Sequence, residues 1–93
     1  MKIEFKESFL TKLGKQIDFI ANDSPSQARK FKDKLLKRIK EIPKRPYSYR
    51  KSIYFNDEKI RDLIYKGYTI VFRITEKRIE VLGFVKYQKD PTD

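Results

Sequence analysis

The sequence predicts an α+β fold in the order β-α-α-β-β-β, with a helical hairpin packed on one face of a mostly antiparallel four-stranded sheet. Three observations carry this reading. Two stretches, 8–20 and 25–42, repeat their apolar residues at helical spacing across a short break at Asn22-Asp23-Ser24-Pro25. Three runs rich in β-branched and aromatic residues occupy 60–65, 68–74 and 78–85, separated by tight turns. A brief alternating segment opens the chain.

In that opening segment Ile3 and Phe5 alternate with Lys2, Glu4 and Lys6, which makes a short strand with one buried face. From Ser8 the period lengthens. Phe9, Leu10, Leu13, Ile17 and Ile20 share one helical face, while Lys12, Lys15, Gln16 and Asp18 fall off it. Gly14 weakens that helix by about 1 kcal/mol relative to alanine, a cost that suggests close approach of another element. Ser24 suits an N-cap, Pro25 the first helical position, and Gln27 completes a capping box. Ala28, Phe31, Leu35, Ile39 and Ile42 form the stripe of the second helix, Leu36 widens it, and Pro43 ends it. The short link folds the two helices antiparallel. Residues 43–52, with two prolines and no apolar period, read as a loop. Ile53-Tyr54-Phe55 is expected to dock that loop onto the core, and Asn56-Asp57-Glu58 to turn the chain. In the middle strand Tyr68, Ile70, Phe72 and Ile74 share one face, and Thr69, Val71 and Arg73 the other. With the apolar set against the helices, Arg73 points away from them, on a face freer for function. Residues 1–93 read as one domain.

Composition narrows the chemistry. The chain has no cysteine, so neither a disulfide nor a thiolate is available, and no histidine, the commonest general base and metal ligand. The acids lack the convergent spacing of a metal site, and there is no Gly-rich phosphate loop, so no metal and no cofactor is expected. No apolar stretch approaches a membrane span or a signal-peptide core, which points to the cytoplasm. The net charge is +10. Eleven cations and two acids lie between Arg29 and Lys51, leaving nine of the ten net charges in that quarter of the chain. This is either a solvated helix face or a landing surface for nucleic acid or an acidic protein.

A resemblance enters through the order and spacing of three motifs. These are Ile60-Arg61-Asp62-Leu63, Gly67-Tyr68 with Ile70-Val71-Phe72-Arg73-Ile74, and Val81-Leu82 followed by Lys86-Tyr87-Gln88-Lys89-Asp90-Pro91. Together with the helical hairpin they resemble the RelE/ParE superfamily of type II toxin–antitoxin toxins over essentially the whole chain. RelE-like members are ribosome-dependent endoribonucleases, and ParE-like members inhibit DNA gyrase. The strand-end pattern looks ParE-like: Lys86 stands where that branch often has histidine, and Gln88 and Lys89 where it often has arginines. RelE-like nucleases often carry arginine where this chain has Thr69. The resemblance implies a toxin neutralised by a small acidic antitoxin, with DNA gyrase or ribosome-bound mRNA as target; the alternative on the same fold is a non-toxic module whose basic patch contacts nucleic acid. It leaves a homodimer open.

Within that frame Arg61, Arg73, Lys86, Tyr87 and Lys89 are the candidates for target binding or for metal-independent RNA cleavage. Two arginine forks would clamp phosphate, and a lysine or tyrosine would move protons in the absence of histidine. Each has a plainer reading. Arg61 would match Glu80 across strands, Arg73 would form a surface ion pair, Lys86 and Lys89 would be solvated, and Tyr87 would be a rim aromatic. Tyr47, Tyr49 and Tyr54 interleave with Lys44, Arg45, Arg50 and Lys51, either as a nucleic-acid platform or as pins for the loop.

Overall fold

The computed structural model describes residues 1–86. Strand β1 (Lys2–Phe5) leads into α1 (Glu7–Asp23) and α2 (Pro25–Lys40). Two single-turn 3-10 helices, Ile42–Lys44 and Pro46–Ser48, precede β2 (Arg50–Lys51), and β3 (Ile60–Tyr65), β4 (Tyr68–Ile74) and β5 (Arg78–Lys86) follow. The sheet order is β1-β5-β4-β3-β2. It has five strands where four were expected, because the proline-rich segment supplies Arg50 and Lys51 to pair with Asp62 and Arg61. β1 runs parallel to β5, and the other neighbours are antiparallel.

Local chemistry sets the boundaries. One residue, Ser24, joins the helices in an extended conformation (φ −154°, ψ 104°). Its N–H closes α1 on the Ile20 carbonyl, and its hydroxyl accepts the Gln27 N–H at 3.2 Å to start α2. Between β3 and β4, Lys66 (φ 46°) and Gly67 (φ 82°) form a two-residue turn with both φ positive, the geometry that suits the sheet's twist. Thr75 closes the next turn by giving its hydroxyl proton to the Arg78 carbonyl. The β4–β5 ladder pairs Val71 with Gly83 but Phe72 with Val81, so Leu82 is the extra residue of a bulge.

Both helices cover one sheet face. Phe9 and Leu13 of α1, Leu35 and Ile39 of α2, and Ile42 beyond it pack on Leu63, Ile70, Phe72, Ile79, Val81 and Phe84. Tyr68 stacks on Phe84 and meets Phe31 edge-on. Three expectations need correcting. Leu10 lies at the edge of the apolar face and is 51% exposed. No neighbour comes within 4 Å of a methyl built on Gly14, so no element approaches there. Ile53, Tyr54 and Phe55 are exposed, so they do not dock the loop on the core. Tyr49 does so, standing edge-on to Phe72 at 5.4 Å. The far face of the sheet is free only in part, since Asp62, Thr69, Val71 and Glu80 are buried there.

Candidate functional site

Arg61 lies on β3 and directs its side chain to the helix-facing side. Its Nε donates to the Glu58 carbonyl at 2.8 Å and its Nη1 to the Tyr49 carbonyl at 3.1 Å. Nη2 meets the Glu58 carboxylate at 3.4 Å, and the guanidinium sits 5.0 Å from the Tyr47 ring centroid. Its partner is therefore Glu58, not Glu80, and its fork fastens both flanks of β2 to the sheet.

Arg73 occupies the opposite face. Its Nη1 lies 3.6 Å from Glu80, which also meets Arg78 at 3.3 Å and Lys6 at 3.8 Å. Glu4 extends the group through Lys6 and Arg78. The hydrogen bond from the Lys6 ammonium holds the Glu4 carboxyl below the usual carboxylate range. Two acids thus share three cations, and Arg73 is a member of a structural network with one net positive charge.

Lys86 ends β5. It stands opposite Tyr68 in the ladder, which puts it on the helix-facing side, with its ammonium 6.0 Å from the Phe19 ring centroid. Phe19 is 66% exposed and borders a recess of about 430 Å³ at the helix junction, with Ile20, Asn22, Asp23, Ser24 and Gln27. Along β4, Arg73 and the partner of Lys86 are five residues apart, about 17 Å. Arg61, Arg73 and Lys86 are accordingly brought to three separate neighbourhoods. Tyr87 and Lys89 lie outside the described residues.

Sequence reasoning missed the buried carboxylate of Asp62. Its Oδ2 accepts from Arg50 Nε at 3.2 Å and from the Ile53 N–H at 3.1 Å. An acid flanked by Leu63-Ile64-Tyr65 in a largely apolar strand was the available signal, since such a group needs a cation or backbone donors. The interleaved tyrosines divide. Tyr49 is a pin, whereas Tyr47, under the Arg61 guanidinium, and Tyr54 are exposed.

A family model described as "ParE toxin of type II toxin-antitoxin system, parDE" matches residues 3–91. Among solved structures, a chain of the chromosomal ParDE TA system from P. aeruginosa superposes with a TM-score of 0.76 at 15% identity, covering 95% of this chain and 97% of that one. At that identity the likeness speaks for the fold. No curated protein matches by sequence.

Proposed function

The chain belongs to the ParE toxin family of type II toxin–antitoxin systems, and from that membership we propose that it arrests growth by inhibiting DNA gyrase. It is the toxin of such a module, and residues 1–93 act as one toxin domain in the cytoplasm, neutralised by a cognate antitoxin. None of the described helices is long and apolar enough to cross a membrane.

One observation favours a toxin that binds its target over one that cleaves RNA. Phosphoryl chemistry without a metal needs several donors aimed at one phosphate. Here Arg61 spends its fork on backbone carbonyls and Glu58, Arg73 is paired on the opposite face, and of the three described candidates Lys86 alone has no acid partner among the described residues. Target contact is assigned to the end of β5, where Lys86 meets the exposed Phe19 ring and Tyr87 and Lys89 follow in sequence.

A supercoiling assay with purified protein tests this. The wild type should inhibit gyrase, and K86A/K89A should lose inhibition while melting as the wild type does. A wild type that leaves supercoiling untouched, while inducing codon-linked cuts in mRNA, would transfer the chain to the nuclease reading. A double variant that no longer folds would make the strand end structural.

A further inference from the structure

A groove runs between α2 and the β3–β4 turn, beside the end of β5, where Lys86 pairs with Tyr68 two residues beyond Lys66. Two adjoining recesses of about 180 and 340 Å³ make it up, and Lys34 and Lys66 line both. Lys30, Lys37 and Arg38 complete its cationic wall, and the Tyr65 ring lies in its floor. The Arg38 guanidinium and the Lys66 ammonium stand 5.8 and 5.6 Å from the centroid of that ring. Only one acid, Glu41, lines either recess. Among the described residues none of these five cations forms an ion pair; the acids that do pair bind cations of the sheet and its flanks. The floor adds an independent sign of a missing partner. Tyr65 is 6% exposed, and its buried hydroxyl has no hydrogen-bond partner among the described residues.

We propose that this groove binds the phosphate backbone of a single nucleic-acid strand. Lys30, Lys34 and Arg38 recur at i, i+4, so they climb the groove in steps of about 6 Å, a row of point charges suited to successive phosphates. Lys66 faces that row from the other wall. An acidic protein segment shares the charge but needs apolar anchors in addition. Half-buried Ile20 and Phe31 line the smaller recess, but the large exposed apolar side chains, Phe19, Ile53, Tyr54, Phe55 and Ile64 among them, line neither. Phosphates need only cations and donors, and each contact releases counterions. The helix wall and Lys66 of the turn face one another across the recesses, an arrangement that suits a strand laid between them. The inference stands whether or not gyrase is the target.

Binding of the 93-residue chain to a fluorescent single-stranded oligothymidylate of about 20 nucleotides, longer than one site, tests it across a salt series. K34Q/K66Q removes one cation from each wall. It should weaken binding about tenfold or more and flatten the slope of log K against log salt by about 1.4, two single-strand phosphates' worth. K12Q/K77Q removes the same charge outside the groove and should leave both readouts near wild type. Equal losses in the two variants, or none in K34Q/K66Q, would overturn the proposal. So would displacement of the oligonucleotide by a polyglutamate peptide more readily than by unlabelled strand, which assigns the groove to a protein partner. Should K34Q/K66Q melt early, K30Q/K37Q on the helix wall alone carries the same expectation with the turn intact.

Discussion

Arg50→Ala and Asp62→Asn remove the two ends of one contact, and the structure makes their consequences unequal. The Asp62 side chain is 0% exposed, whereas that of Arg50 is 46% exposed. Arg50 approaches Oδ2 through Nε and Nη2, both at 3.2 Å, and the Ile53 N–H adds a donor at 3.1 Å. Oδ1 has no partner among the described residues. Truncating Arg50 strands a buried carboxylate on one backbone donor. That costs about 3 kcal/mol, the low end for a buried charge left alone, because water enters where the half-exposed arginine stood. Asp62→Asn leaves a guanidinium that simply rehydrates, and the new amide oxygen still accepts from Ile53. The loss is then about 1 kcal/mol. For a domain of this size these figures lower the melting temperature by about 12–24 °C and 4–8 °C respectively. The double variant should lie close to D62N, since a neutral side chain has little use for Arg50. Far-UV circular dichroism melts and urea titrations of the three variants supply the cycle. An Asp62→Asn variant that melts below Arg50→Ala, or a double variant whose loss is the sum of the singles, would refute this reasoning.

The remaining expectations are smaller. Gly14→Ala should raise stability by about 1 kcal/mol, because helix propensity improves where no neighbour obstructs a methyl; a lower melting temperature would contradict that. Gly67→Ala, at φ 82°, should cost about 1–2 kcal/mol. Gly83→Ala should instead stay within about 0.5 kcal/mol, as its methyl meets Val71 Cβ at an ordinary 3.9 Å. Burial raises the Tyr68 hydroxyl above its usual range, against a smaller lowering by its hydrogen bond with Gln16. Its folded form therefore holds its proton longer than the unfolded chain, and the contribution present below pH 10 is lost as pH rises through the raised value. Urea titrations on the alkaline side should fall less steeply for Tyr68→Phe than for wild type. Added salt should raise the melting temperature, because like charges at Lys30/Lys34 and Lys34/Arg38 repel by about 0.2–0.5 kcal/mol each and are screened. A steady fall with salt would show the sheet's ion pairs outweighing them.

Most of the fold was legible because its residues repeat themselves. Ile60–Tyr65 and Tyr68–Ile74 begin and end where alternation and the Lys66-Gly67 pair place them, and Ser24 caps α2 as its spacing to Gln27 requires. The fifth strand was not legible. Arg50 and Lys51 show no apolar alternation, and what holds them is pairing with β3 and the carboxylates of Asp62, on Arg50, and Glu58, on Lys51. The same limit governs the candidate site. Whether Arg61 clamps a ligand or a carbonyl depends on where the Glu58 and Tyr49 backbone passes, and no side-chain pattern reports that. Strand parity sets Arg73 apart, because odd separations along a ladder reverse the face, while Arg61 and Lys86 share the helix-facing side but pair with Phe72 and Tyr68, four residues or about 14 Å apart along β4.

That parity bears on where the excess charge can act. Cations on a sheet lie within reach of acids on neighbouring strands, and here Arg50, Arg61, Arg73 and Arg78 are engaged by Asp62, Glu58, Glu80 and Glu4. They hold β1, β2 and the turns in place, so removing them probes stability before it probes function. Cations on α2 have no strand beside their outer face. Lys30, Lys34, Lys37 and Arg38 lack acid partners among the described residues, and the turn brings Lys66 toward them. Leaving like charges together costs the folded chain a little free energy at every step along the helix. An anion that binds there recovers that cost in addition to its own attraction, and it does so without disturbing the core, because the apolar side of the same helix is buried against the sheet. The end of β5 adjoins this groove, since Lys86 pairs with Tyr68 two residues beyond Lys66 and Ile20 and Gln27 line recesses on both sides, so variants of either surface should be read in both the supercoiling and the oligonucleotide assay.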